Sequence, residues 1–276
     1  MNKKTFAYAH GYNGRWDDRD LKYLTYEQFE PIYANSTSEY KNNNKPTGGL
    51  WLSEMTTFDN ISKTRWLDYM GYKGIIGDYG FTIEFTKNAK ICYIKNEKDL
   101  EHIYNLYPNK DVKKFGYLNY IDLACDYDAV YIESFINNSF ESWSIPSLVV
   151  FNLKCIDSFI PFVISCDEYY SEYNECNNVI KEFYCKNKLK PSNHYLKAKE
   201  EIDYITKNID LSYFMEDYYN NIDLFDEFVE KINNKTAIDP DLIRNILLTK
   251  GLNQYKEKRK NNLNSKKLLK STKCPL

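Results

Sequence analysis

Two runs near the middle of the chain decide the fold class: Asp126-Tyr127-Asp128-Ala129-Val130-Tyr131-Ile132-Glu133, and Ser147-Leu148-Val149-Val150-Phe151-Asn152-Leu153-Lys154-Cys155-Ile156. Within them, Ala129 to Ile132 and Ser147 to Phe151 are short, apolar and bounded by Asp, Pro or Asn, as strands are. Working outward, Phe81 to Phe85 and Lys90 to Ile94 read the same way. Helical stretches at 62–70 and 97–106 lie between the strand runs. Asn96 stands as the cap of the second, with Asp99 three residues on. Strands and helices alternate without a repeating βαβ period, so the expected class is α+β and not a doubly wound sheet.

From about residue 167 the texture changes. Glycine is absent until Gly251, and apolar residues fall at helical spacing. Leu224, Phe225, Phe228, Val229 and Ile232 make one stripe; Leu242, Ile243, Ile246 and Leu247 make another, both expected to be core faces. Asp239-Pro240 reads as a helix start and Gly251 as its end. The expected division is 1–165 for an α+β domain and 166–276 for a helical region with a basic tail. That tail, Lys256 to Lys273, holds eight basic residues and one acid, which leaves −9 of formal charge on the remainder. It reads either as a solvated terminal helix or as a nucleic-acid contact.

Composition narrows the rest. Hydrophobic residues make up 43%, enough for a packed core. The 37 basic residues nearly cancel the 39 acidic ones, so overall charge selects no partner. The 26 tyrosines read first as the codon bias of an AT-rich genome and only second as a binding surface. The start of the chain has no apolar export core, and no run nears the roughly 18 apolar residues of a spanning helix. No membrane is expected, and the expected location is cytoplasmic. The seven cysteines, Cys92, Cys125, Cys155, Cys166, Cys176, Cys185 and Cys274, are scattered and form no CxxC pair. Neither a disulfide framework nor a metal site is expected from them.

Chemistry concentrates in three segments. Ala9-His10-Gly11 ends a short β-type run and places an imidazole beside an open backbone. Lys45-Pro46-Thr47-Gly48-Gly49-Leu50-Trp51-Leu52-Ser53 follows, with Trp51 as a flat stacking face and Ser53 on the same side of a strand. The third segment is the pair of strand runs quoted first. Phosphate-binding glycine loops and the Gly-x-Ser-x-Gly elbow are missing, and nothing local supports a triad built on His102 or His194.

The order His10-Gly11, then Gly49-Leu50-Trp51 with Ser53, then Tyr127 to Val130 and Ser147 to Asn152, resembles the ADP-ribosyltransferase superfamily. The closest likeness is to its diverged phage and toxin members and to the histidine-type poly(ADP-ribose) polymerases. The resemblance covers roughly residues 5 to 160. It implies a split β-sandwich with flanking helices, and NAD as co-substrate without a metal. By the same resemblance His10 and Gly11 hold the NAD ribose, while Gly49, Trp51 and Ser53 form the nicotinamide strand, with Trp in place of the family's Tyr. The family's acid opens the strand that begins here at Ser147, a departure that passes the role to Glu133, Glu141 or Asp128.

Such a site stabilises the oxocarbenium character that develops when the nicotinamide–ribose bond breaks. The leading expectation is therefore transfer of ADP-ribose to a macromolecule, protein or nucleic acid, by a toxin, phage effector or defence protein. The alternative is a non-enzymatic binding protein with a degenerate fold of this type. An RNA-phosphate transferase ranks last, because only Arg15 and Lys45 lie near the motifs. Convergence of His10, Trp51 and Glu133 on one cleft favours the enzyme; dispersal favours the binder.

Overall fold

A computed structural model describes residues 5–12, 24–35, 44–58, 61–66, 76–112, 114–134, 136–137, 140, 143–165, 179–182 and 185–271, with backbone alone at 8–12, 56–58, 61–64, 76–79, 162–165, 179–182 and 266–271. The strands are β1 (Phe6–Tyr12), β2 (Leu50–Phe58), β3 (Ile61–Thr64), β4 (Ile76–Phe85), β5 (Ile91–Ile94), β6 (Ala129–Ile132), β7 (Ser147–Val150), β8 (Ile156–Ser165), β9 (Val179–Glu182) and β10 (Asn187–Lys188). The helices are α1 (Glu97–Leu106), α2 (Tyr120–Asp126), α3 (Asn193–Ile205), α4 (Ser212–Glu216), α5 (Ile222–Thr236) and α6 (Pro240–Ser271).

The strands hydrogen-bond into an open mixed sheet in the order β10-β8-β4-β1-β2-β7-β6-β5, with β3 on β2 and β9 on β8. Only β5 and β6 pair in parallel among the described strands. The chain between them carries α1 and α2, the kind of long crossover that a parallel pair requires. The class is α+β, as expected.

Alternation divides the sheet into two apolar faces. Val130, Ile132 and Val149 point to one side, where Leu100, Ile103, Leu123 and the C-terminal helices cover them. Tyr131, Leu148, Val150 and Leu52 point to the other, against Phe6, Phe81 and Leu153. β6 and β7 are buried at every position, which is why both read as continuous apolar runs. Asn96 caps α1 by accepting from the Lys98 and Asp99 N–H groups, both at 3.0 Å. Asp239 likewise accepts from Asp241 and Leu242, at 3.0 and 3.1 Å, and opens α6.

Several expectations are corrected. The stretch read as a helix at 62–70 begins as strand β3, and only Arg65 and Trp66 are helical among its described residues. The sheet does not stop at residue 165, since β9 and β10 both pair with β8, and among the described residues the helices of the C-terminal region begin at Asn193. In the first stripe Phe225, Val229 and Ile232 are buried, but Leu224 is 56% exposed. Gly251 does not end its helix. It lies inside α6, where a Cβ would stand 2.9 Å from the Leu211 carbonyl oxygen, so the glycine admits a neighbouring backbone.

The basic segment is partly consumed within the molecule. Arg259 Nη1 lies 2.7 Å from Asp126 Oδ2 and its Nε 3.4 Å from Asp122 Oδ1. The Tyr255 hydroxyl donates to Asp122 at 3.0 Å, and Lys258 pairs with Asp210 at 2.7 Å. The Arg259 and Tyr255 contacts clamp α6 onto α2, and the Lys258 pair ties it to the segment before α4. Arg259→Ala should cost about 2 kcal/mol, between the ~1 of an exposed pair and the ~3–5 of a buried one. Thermal unfolding checks this: a midpoint drop of roughly 4–8 °C is expected, with Lys260→Ala, an exposed neighbour, near zero. Equal behaviour of the two variants would refute the clamp. No helix among the described residues is long and apolar enough to cross a membrane.

Candidate functional site

β2 is entered through Lys45-Pro46-Thr47-Gly48-Gly49. Both glycines hold positive φ, 82° and 80°, a region that side chains disfavour. A Cβ on Gly48 would lie 2.1 Å from the Pro31 carbonyl oxygen, and one on Gly49 2.6 Å from Val149 Cγ1. The close approach that these glycines permit is thus made by the protein's own chain. Three backbone bonds hold segment 30–34 in place: Gly49 N–H to Glu30 at 2.8 Å, Thr47 N–H to Ala34 at 3.0 Å, and Tyr33 N–H to Thr47 at 3.2 Å.

Trp51 is half-buried on the helix-covered face. Its indole N–H turns back to donate to the Gly48 carbonyl at 3.2 Å. The ring lies 5.0 Å from that of Trp143, and Lys45 Nζ stands 5.5 Å from its centroid, a cation–π arrangement. Trp143 is held by the carbonyl of buried Asn44, which accepts from its indole N–H at 2.7 Å and from the Tyr120 hydroxyl at 2.9 Å. The Asn44 side chain is itself spent on Gly116 O and Leu118 N, at 2.8 and 3.3 Å. One asparagine therefore fixes the platform under Trp51. Ser53 is buried, and its hydroxyl accepts from the Trp66 N–H at 3.2 Å.

His10 and Gly11 lie in β1, which pairs directly with β2 through Phe6↔Glu54 and Ala7↔Ser53. Gly11 stands opposite Gly77 of β4, just past a register shift. The side chain of His10 lies outside the described residues.

The carboxylates fall apart spatially. Glu133 follows β6 and accepts from the Tyr131 hydroxyl at 2.9 Å. Tyr131 is fully buried, and its register with Leu148 and Leu52 puts it on the sheet face opposite Trp51. Asp128 is occupied in structure, accepting from the Lys90 N–H at 2.9 Å and from Asn152 Nδ2 at 3.2 Å. Glu141 lies outside the described residues, while Phe140 and Trp143 are buried beside it in sequence, with rings 6.1 Å apart. Trp51 and Ser53 thus share β2, which Gly49 leads into, next to the strand of His10 and Gly11, and Glu133 is not brought to them. No family model matches the chain. No curated protein and no solved structure matches it either.

Among the described residues no group of three or more His, Cys, Asp or Glu is placed to hold a metal ion. Burial pushes the Cys92 and Cys155 thiols up to about 12, so neither supplies a thiolate at neutral pH. Sequence reasoning missed Asn44 and Tyr219. The Tyr219 hydroxyl lies 2.9 Å from Thr47 Oγ1, and no local pattern announces a contact between segments so far apart. Asn44 sat in view, one residue before the Lys45 segment, but a buried asparagine looks like any loop asparagine until its partners are known.

Proposed function

We propose that the chain transfers ADP-ribose from NAD to a macromolecular acceptor, at a site built on β1 and β2. The observation that carries this reading is the direct pairing of the His10-Gly11 strand with the Trp51–Ser53 strand, the neighbour relation that the resemblance requires. On this reading the sheet and its covering helices are a variant of the family's split β-sandwich. In the reaction the bond between ribose C1′ and the nicotinamide nitrogen breaks, and nicotinamide leaves with the electron pair. A lone pair of the acceptor forms the new bond to C1′, and the acceptor's proton is released to solvent. A carboxylate near C1′ stabilises the oxocarbenium character between these events. Of the three candidate acids, Glu133 is tied to Tyr131 on the face away from Trp51 and Asp128 is bonded to the Lys90 N–H and to Asn152, which leaves the role to Glu141.

The second reading, a non-enzymatic binding protein, draws on that same separation of Glu133 from Trp51. Incubation with NAD labelled in its adenylate half and a cell lysate decides between them. Label in a macromolecular fraction, removed by protease or by nuclease, is the expected result and names the acceptor class. No incorporation, together with no release of nicotinamide into water, would leave the binder.

A further inference from the structure

Two lysines from the sheet half of the chain stand beside the start of the basic segment. The Lys90 N–H donates to Asp128 Oδ2 at 2.9 Å, and Asn152 Nδ2 donates to Asp128 Oδ1 at 3.2 Å. Asn152 in turn accepts from the Lys154 N–H at 3.1 Å. One carboxylate therefore ties the start of β5 to the turn after β7, and each of these carries a lysine. Helix α6 crosses the same corner, because Arg259 reaches Asp126 at 2.7 Å, two residues before Asp128. Lys256 lies just under one turn earlier on that helix. Burial holds its ammonium below the usual lysine range; Cys125, Asp128 and Asp126 oppose that push, and Lys154 adds to it.

Lys90, Lys154, Lys256 and Lys260 thus gather from three separate parts of the chain. Lys260 follows Lys256 by four residues, on the same side of α6, and it is exposed, as are Lys90 and Lys154. The acids at this corner are already engaged, Asp122 and Asp126 by Arg259 and Asp128 as described. The four lysines form no ion pair among the described residues. Residues 260–265 are exposed at every position, so α6 stands clear of the body there over about 9 Å.

Ammonium groups held together without counter-charges favour a polyanion. The chain as a whole carries −2, so this positive corner sits on a negative body, which confines such a partner to it. A bilayer suits the surface less. Residues 260–265 hold one apolar side chain, Leu263, among Lys, Asn and Ser, too little to enter a membrane. Asn261, Asn262 and Asn264 add amide donors of the kind that meet sugar and phosphate oxygens.

We infer that this corner binds the phosphate backbone of a nucleic acid, with Lys90, Lys154, Lys256 and Lys260 each meeting a phosphate. The contact stands apart from the NAD reading, since it needs no cofactor.

The test is fluorescence anisotropy over a range of salt, with end-labelled duplex DNA, duplex RNA and single-stranded RNA as probes. On duplex, log affinity against log salt should fall with a slope of about −3.6 or steeper, four phosphates at about −0.9 each. Lys90→Gln with Lys154→Gln should flatten that slope by about 1.8 and weaken binding roughly 60-fold at about 0.1 M salt. A basic tail acting alone predicts no change, because both lysines lie outside it. Lys197→Gln with Lys235→Gln removes the same charge from exposed sites on α3 and α5 and should stay within about threefold. Lys256→Met should weaken binding without lowering the thermal midpoint, since it removes a largely buried, unpaired charge and keeps the stem. Absence of binding at micromolar protein in low salt overturns the inference. Unchanged affinity in the Lys90 and Lys154 variant does so too, as does equal weakening by the two lysine pairs. Capture by phosphatidylserine-rich vesicles in preference to nucleic acid would overturn it in favour of a membrane.

Discussion

Gly48→Ala is expected to lower the thermal midpoint by about 10 °C or more. A Cβ at this position meets the Pro31 carbonyl oxygen at 2.1 Å, and a backbone atom cannot rotate away as a side-chain end can. Segment 30–34 must then move, straining the three backbone bonds that tie it to Thr47 and Gly49; each contributes about 1 kcal/mol net. Holding alanine at φ near 82° adds about 1–2 kcal/mol. A total near 4 kcal/mol corresponds to the stated shift at roughly 2–4 °C per kcal/mol for a chain of this size. Gly49→Ala serves as the comparison. Its clash at 2.6 Å is with Val149 Cγ1, a side chain that can give, so about half the effect is expected. Should the Gly48 variant melt with the wild type, Pro31 does not occupy the space described.

Glu141→Gln is expected to cut NAD turnover roughly 100-fold or more, the range seen when one group that stabilises transition-state charge is removed. Glu133→Gln should stay within about threefold of wild type, because its carboxylate is bonded to Tyr131 on the face away from Trp51. Both changes remove a charge and almost no volume, so unfolding does not blur the comparison. Initial rates of nicotinamide release, measured at saturating NAD, give the answer. The opposite pattern would return the catalytic role to Glu133 and refute the placement of the site on Trp51's face.

The strands at 81–85, 90–94, 129–132 and 147–151 and the helix at 97–106 were legible in the sequence because local signals agreed. Buried β-branched runs met turn residues at both ends, and Asn96 marked a helix start. Gly251 was misread for a physical reason. A glycine that ends a helix and a glycine that admits a crossing backbone look identical until Leu211 is placed against it. Strand β3 was hidden because Ile61 to Thr64 is stabilised by pairing with Met55 to Phe58, not by its own pattern. At the candidate site, the strand character of the His10 and Trp51 segments was legible, and their pairing came from the structure. The face on which Glu133 lies was not legible, because it depends on a register two strands away. Tyr219 was out of reach, since Thr47 meets its hydroxyl while Tyr33 and Arg244 hold its neighbour Tyr218, and these lie in three distant parts of the chain.

The shared core has a consequence for synthesis. Phe151, Val149 and Ile94 share one core with Phe225, Ile243 and Leu252, so the face they form is covered only in part, by α1 and α2, while the ribosome makes the second half of the protein. About a hundred residues at ~5–20 per second keep that apolar face waiting for roughly 5–20 s. During that interval the growing chain offers a sticky, half-built sheet to chaperones and to its neighbours on the same messenger. Helix α6 closes a core whose sheet was made about a hundred residues before it.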